Sequence, residues 1–339
     1  MQRLAVIITV GCLLLVACEA KTADDAKRSA DRDRGLAHPS SAGAGDAAPR
    51  DAPAAGPVSP HCTFRNVDFI VEPGLVLEVR RLVGELRATG REPATFDDPR
   101  TFSIAIAEAE VALDMPSLAA MMNDYVFAGP DAPMRGLEIQ TEGKRLRIKG
   151  TLHKGVPVPF TMLGDIKATE QGEIEIVPAE LHAAGVPVRG LLDFFGVELD
   201  DLVKAKDAVG IRVEENALYL QPRAILPPPR LDGKIVAVEV VGDQLVQRFG
   251  GRGSVAPVEP RAAKDGNSMA FRGGMLRFGR LTMEPTDLTL VDADSRDPFL
   301  FSLRDYGKHL TAGYSRTLAD GSLVTVMPDY DQADRSVLQ

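Results

Sequence analysis

Ile104-Ala105-Ile106-Ala107-Glu108-Ala109-Glu110-Val111 recurs seventy residues further on as Ile174-Glu175-Ile176-Val177-Pro178-Ala179-Glu180-Leu181. Ile104, Ile106, Ala109, Glu110 and Val111 match Ile174, Ile176, Ala179, Glu180 and Leu181 position by position. Both copies start with apolar residues two apart, the spacing that lines one face of a strand. The same offset carries into the next segment of each copy: Leu118, Met121, Met122 and Tyr125 match Val188, Leu191, Leu192 and Phe195. Steps of three, four and seven put each set on one face of an amphipathic helix. Asp114 and Pro116 offer a cap and a first-turn proline to the first helix. In the second, the stripe continues through Leu199, Leu202 and Val203, with Asp193, Glu198, Asp200 and Asp201 facing away.

A hairpin pattern comes after each helix. Leu137 and Ile139 lead through Glu142-Gly143 to Leu146 and Ile148; Ile211 and Val213 lead through Glu215-Asn216 to Leu218 and Leu220. Each hairpin has one apolar face, and the economical cover for it is the stripe of its own helix. The expected fold class is therefore α+β: a curved antiparallel sheet wrapped on amphipathic helices, in two strand–helix–hairpin repeats. Upstream, the run Leu75 to Leu86 reads as a long strand, with helix as the alternative. Pro227-Pro228-Pro229 closes the second repeat. Val236, Val238 and Val240 then alternate up to a Gly242-Asp243 turn, and short alternating pieces at Leu276, Leu281 and Leu288 make residues 232–339 a β-rich extension. Whether that extension completes the sheet or forms a lobe of its own is open at this level.

The start of the chain speaks to location. Arg3 precedes an apolar run from Leu4 to Val16, which is shorter than the ~20 residues of a spanning helix and ends in Leu15-Val16-Ala17-Cys18. This resembles the lipobox of bacterial lipoproteins. The resemblance implies a signal peptide over 1–17, cleavage after Ala17, and a lipid on Cys18 that holds the protein at an envelope membrane facing the periplasm. Glu19, in place of an aspartate after the cysteine, weakly favours the outer membrane. Residues 18–60 are the lipidated cysteine and a tether of Ala, Asp, Arg, Gly, Pro and Ser. Such a segment cannot bury enough surface to fold, and its root-mean-square reach is on the order of 35 Å. Cys12 would leave with the signal and Cys18 would be acylated, so Cys62 is left without a partner for an intrachain disulfide. A formal net charge of −9 argues against a nucleic-acid surface.

An exported lipoprotein whose body (61–231) combines strand, amphipathic helix and antiparallel hairpins resembles the bacterial branch of the tubular lipid-binding superfamily, relatives of the bactericidal/permeability-increasing protein. That resemblance implies a groove for an acyl chain, carries no catalytic residue and needs no cofactor. It expects one long helix, where two are read here. Leu118, Met121, Met122, Tyr125, Leu191, Leu192 and Phe195 are the candidate groove walls, and plain core is the alternative for each. Arg145, Arg147 and Lys149 alternate with Leu146 and Ile148, which turns three cations outward as candidate contacts for lipid headgroups or as a solvated face.

Local signals for chemistry are weak. His153, His182 and His309 lack neighbours at metal-ligand spacing. Asp292, Asp294 and Asp297 alternate as calcium ligands can, without the glycine and final glutamate of an EF-hand. Gly313-Tyr314-Ser315-Arg316 lacks the last glycine of a nucleophile elbow. The expectation is a non-enzymatic lipoprotein that binds or transfers a lipid or other hydrophobic ligand. The alternatives are an assembly module docking an envelope protein and, with Ser315 and His309 as its candidates, a hydrolase.

Overall fold

Period-two alternation with β-branched residues extends most of this chain, and glycines at positive φ turn it back on itself. Gly74 (φ 81°), Gly143 (φ 63°) and Gly242 (φ 64°) each sit between two strands that then pair. The computed structural model describes residues 58–336 apart from 131, 155, 190–209, 251–252, 254 and 262–265, all within one unit. The first half runs β1 (His61–Glu72), β2 (Leu75–Ala88), β3 (Ala94–Thr95), β4 (Phe102–Asp114), helix α1 (Met115–Met121), β5 (Met134–Glu142), β6 (Arg145–Lys154), β7 (Val156–Ala168), β8 (Ile174–Ala183) and β9 (Val186–Pro187). The second half runs β10 (Ile211–Glu214), β11 (Ala217–Leu220), a helical turn Pro222–Ile225, β12 (Arg230–Asp232), β13 (Ile235–Val241), β14 (Gln244–Phe249), β15 (Ser268–Gly273), β16 (Leu276–Phe278), β17 (Leu281–Met283), β18 (Thr286–Asp292) and β19 (Phe299–Ser302). Helix α2 (Tyr306–Ala312), β20 (Tyr314–Thr317), β21 (Leu323–Met327) and helix α3 (Tyr330–Ser336) end it.

Three sheets result. The large one has the order β13-β14-β4-β2-β1-β15-β18-β21-β20, with β12 added on β4 and β19 on β1. The second has the order β10-β11-β8-β7-β6-β5, with β9 on β8, and a small third sheet joins β17, β16 and β3. Inward side chains of the first two sheets merge into one apolar core. Strands from residues 232–339 pair directly with β1 and β4, so the extension completes the first sheet.

The α+β expectation is overturned: strands take 57% of the described residues and the helices are short. Helix α1 has only seven residues, about 10 Å of axis, before a π-helical turn over Met122–Val126 ends it. Nothing that short is wrapped by a sheet. The hairpins do not lie on helices of their own; β5–β6 is extended by β7 and β8, and its apolar face meets the first sheet. The second helical stripe, with Leu191, Leu192 and Phe195, lies outside the described residues, while Val188 packs on the core. The Leu75–Leu86 run is the strand β2.

The repeat itself is structural. In each copy the apolar positions change parity, from Ile104 and Ile106 to Ala109 and Val111, and from Ile174 and Ile176 to Leu181. Strand pairing needs one extra residue to absorb that change. It is Ala107 where the β2–β4 ladder shifts opposite Val83 and Gly84, and Ala179 where the β7–β8 ladder shifts opposite Leu163 and Gly164. Both partner strands carry glycine at the shift because the chains come close there. A Cβ on Gly84 would lie 2.4 Å from the Ala105 carbonyl oxygen, and one on Gly164 would lie 2.6 Å from a methyl of Ile176. The two copies occupy different sheets.

Candidate functional site

Between the two large sheets runs an apolar crevice. The first sheet contributes Leu77, Val111, Leu113, Leu245 and Phe249; the second contributes Ile139, Leu146, Ile148, Ile174 and Ile176. One polar side chain, Gln247, joins them. Leu118, Met121 and Met122 of the expected wall set line it from α1 and its π turn. They reach it because the Asp114 carboxylate caps the helix, accepting from the Ser117 N–H at 2.7 Å. Asn123 then locks that turn onto the open edge of β5, accepting from the Leu137 N–H and donating to the Leu137 carbonyl, both at 2.9 Å. Tyr125 packs half-buried against the core without lining the crevice, and its phenol is held above its ordinary range by burial and by Glu72 and Asp124.

Sequence reading missed the other wall: Pro222, Ile225, Leu226 and Leu231, from the proline-rich connection between the sheets. Its only signal was a few aliphatic residues set among prolines. The enclosed free space is small, about 40 Å³ here and about 20 Å³ in an adjoining void under Leu226 and Leu231. Side chains, largely flexible aliphatic ones, fill the rest.

At one end the crevice meets a recess of about 260 Å³ lined by Gln171, Gly172, Glu173, Gln221, Arg223, Gly233 and Ile235. Pro222, Leu231 and Phe249 line both spaces and so form the partition between them. Glu173, at the β7–β8 turn, accepts from Gln221 Nε2 and from Arg212 Nη2, each at 2.8 Å. Arg212 also pairs with Glu214 and stacks on Tyr219, 4.1 Å from its ring centre. Arg223 lies 3.6 Å from Asp232. Gly233 allows the chain to cross the partition closely: a Cβ there would be 2.8 Å from the Phe249 ring and 3.0 Å from Ile106.

Arg145, Arg147 and Lys149 point away from the crevice, since their neighbours Leu146 and Ile148 line it. Arg145 pairs with Asp165 at 2.8 Å, Arg147 pairs with Glu142, and Lys149 is exposed. His309 is fully buried. Its Nε2 accepts from the Ser302 N–H at 3.1 Å and its Nδ1 donates to the Pro328 carbonyl at 2.9 Å, which fixes the neutral form; burial holds its pKa below the usual value. Both ring nitrogens of His309 are thereby taken by backbone, and Ser315, on β20, bonds to Thr325 instead. Asp292 accepts from Asn267 and from the Asp294 N–H, and Asp294 pairs with Arg296; among the described residues no acid or histidine group has the geometry of a metal site. Cys62 is buried, and burial pushes its thiol well above the ordinary range. No described helix is long and apolar enough to cross a membrane. Cys18 lies outside the described residues.

Compared with protein-family models, curated proteins and solved structures, the chain matches none. What the geometry defines is a β protein in which an aliphatic crevice between the two large sheets meets a polar recess.

Proposed function

We propose that this chain is a lipid-anchored envelope lipoprotein, held at its membrane by Cys18, that binds or transfers a lipid or other hydrophobic ligand without chemically changing it. The observation that carries this reading is the crevice: a continuous aliphatic surface between two sheets, with a single polar side chain, ending at a polar recess. Each methylene moved from water into it contributes about 0.8 kcal/mol. The cavities are too small for an acyl chain as they stand, so binding parts the walls. Leu118, Met121 and Met122 suit this, because unbranched and γ-branched side chains repack at low cost. A second reading, a module that docks an envelope protein through its outer surface, is favoured by the same small cavities.

Native mass spectrometry of the chain purified from a bacterial host, with lipid extraction, separates the two. A stoichiometric lipid that survives purification supports the carrier. A clean unliganded mass, unchanged after incubation with liposomes, removes it and leaves the docking module.

A further inference from the structure

An apolar crevice says nothing about which lipid enters; the recess does. Each charged side chain in its lining has a neighbour of opposite sign. Glu173 is held by Arg212 and Gln221, and Arg223 lies beside Asp232. Between the pairs, the recess offers amide and carboxylate groups, among them the exposed side chains of Gln171 and Gln221. Lys234 borders the recess, its stem beside Gly172, without joining the lining. An anionic headgroup placed there would face the Glu173 carboxylate and would compete with Asp232 for Arg223, the one cation among the lining residues, so its charge would be poorly matched. Hydroxyls, which both donate and accept, fit amide and carboxylate partners without that mismatch.

Location and size agree with the chemistry. The recess is several times larger than the interior voids, and Pro222, Leu231 and Phe249 line both it and the crevice. We propose that the recess is the mouth of the crevice and the seat of an uncharged, hydroxylated headgroup of a single-chain lipid, of the monoacylglycerol class. The proposal rests on the reading that the crevice takes an acyl chain. The chain passes the Phe249 partition, while the headgroup stays outside it and hydrogen-bonds to Glu173 and Gln221.

The test uses the full chain and N-phenyl-1-naphthylamine, a neutral apolar dye that reports on the crevice. 1-Monopalmitoylglycerol is expected to displace the dye at lower concentration than palmitate or a lysophosphatidylglycerol. Glu173→Ala and Gln221→Ala are each expected to raise the monoacylglycerol concentration for half-displacement about tenfold, the weight of one hydrogen bond, while the dye still binds. Dye binding with equal displacement by all three lipids, or with the anionic lipid strongest, overturns the headgroup assignment and leaves the crevice reading standing. Failure of the wild-type chain to bind dye or lipid overturns both.

Discussion

Around Phe271 and Phe301 the core is ring against ring, whereas between the two sheets it is almost wholly aliphatic. Phe96 meets Phe278 at 5.1 Å and Phe271 edge-on at 5.5 Å, Phe278 meets Tyr306 at 4.6 Å, and Phe301 stacks on His309 at 5.1 Å. Rings at these separations interlock, have few rotamers and leave little room to adjust. The crevice has one ring, Phe249, in its lining. A chain with only 13 phenylalanines and no tryptophan thus concentrates its rigid side chains under the C-terminal strands and leaves adaptable ones where the sheets face each other. Rigidity at one end and compliance at the other is the arrangement expected of a scaffold that holds shape while one seam opens.

The sharpest way to break this contrast is to truncate one side chain in each region. Phe301→Ala is expected to cost about 3–5 kcal/mol in urea unfolding, since its neighbours cannot close the hole. Met121→Ala is expected to cost about 2 kcal/mol, at the low end for its class, and to increase uptake of the apolar dye. Equal losses, or a loss of dye binding in the methionine variant, would mean that the crevice is not the compliant region.

A smaller effect tests the electrostatics of the rigid end. Asp329 accepts from the Leu300 N–H at 2.7 Å, yet burial, and then Asp292, Asp297 and Asp331, push its pKa up from 3.8 to about 6. A raised carboxyl pKa means the folded state binds the proton more tightly. Its contribution to stability is full below pH 3.8 and disappears as the pH rises through 6. Asp329→Asn keeps an oxygen for Leu300 and carries no charge. The difference in unfolding free energy between about pH 5 and about pH 7 is expected to shrink by about 1 kcal/mol in the variant. An unchanged difference would place the titration elsewhere, with Asp68, also raised to about 6 by burial and by Glu78, Asp114 and Asp297, the next residue to replace.

The smallest expected effect is outside both regions. Replacing Arg145, Arg147 and Lys149 together by alanine should change stability by no more than about 0.5 kcal/mol per site, because the ion pairs there are solvent-exposed, and should leave dye binding in the crevice unaltered. Loss of binding to anionic vesicles in the same variant would give these cations the headgroup role that their spacing suggested.

Much of the strand structure was legible because alternation is local. The turns at Gly143, Glu215-Asn216 and Gly242-Asp243 fall where the apolar runs break, and the Ile104 and Ile174 copies both became bulged strands. One local reading failed in detail. A bulge between Ile235 and Ala237 turns Val236 out to 52% exposure, although Val238 and Val240 are buried as the alternation requires. The helical reading failed for a different reason. The Leu118–Tyr125 stripe is real and three of its members reach the crevice, but its helix is over by Met121, passes into a π turn, and is too short to serve as a core. Of the candidate site, the α1 wall was legible and the recess was not. Gln171, Glu173, Gln221 and Arg223 come from a turn and a connection some fifty residues apart, with no common periodicity.

By itself, then, the sequence determined what a residue's near neighbours decide: which stretches extend, where they turn, which face of most of them is apolar, and that one strand occurs twice. Tertiary structure alone decided that the two copies belong to separate sheets, that those sheets cover each other in place of helices, and that a polar recess opens onto the seam between them. An apolar face records that it must be covered, but not by what. The choice of partner rests on how the area buried over the whole chain balances the cost of closing each loop, and no local pattern contains that sum.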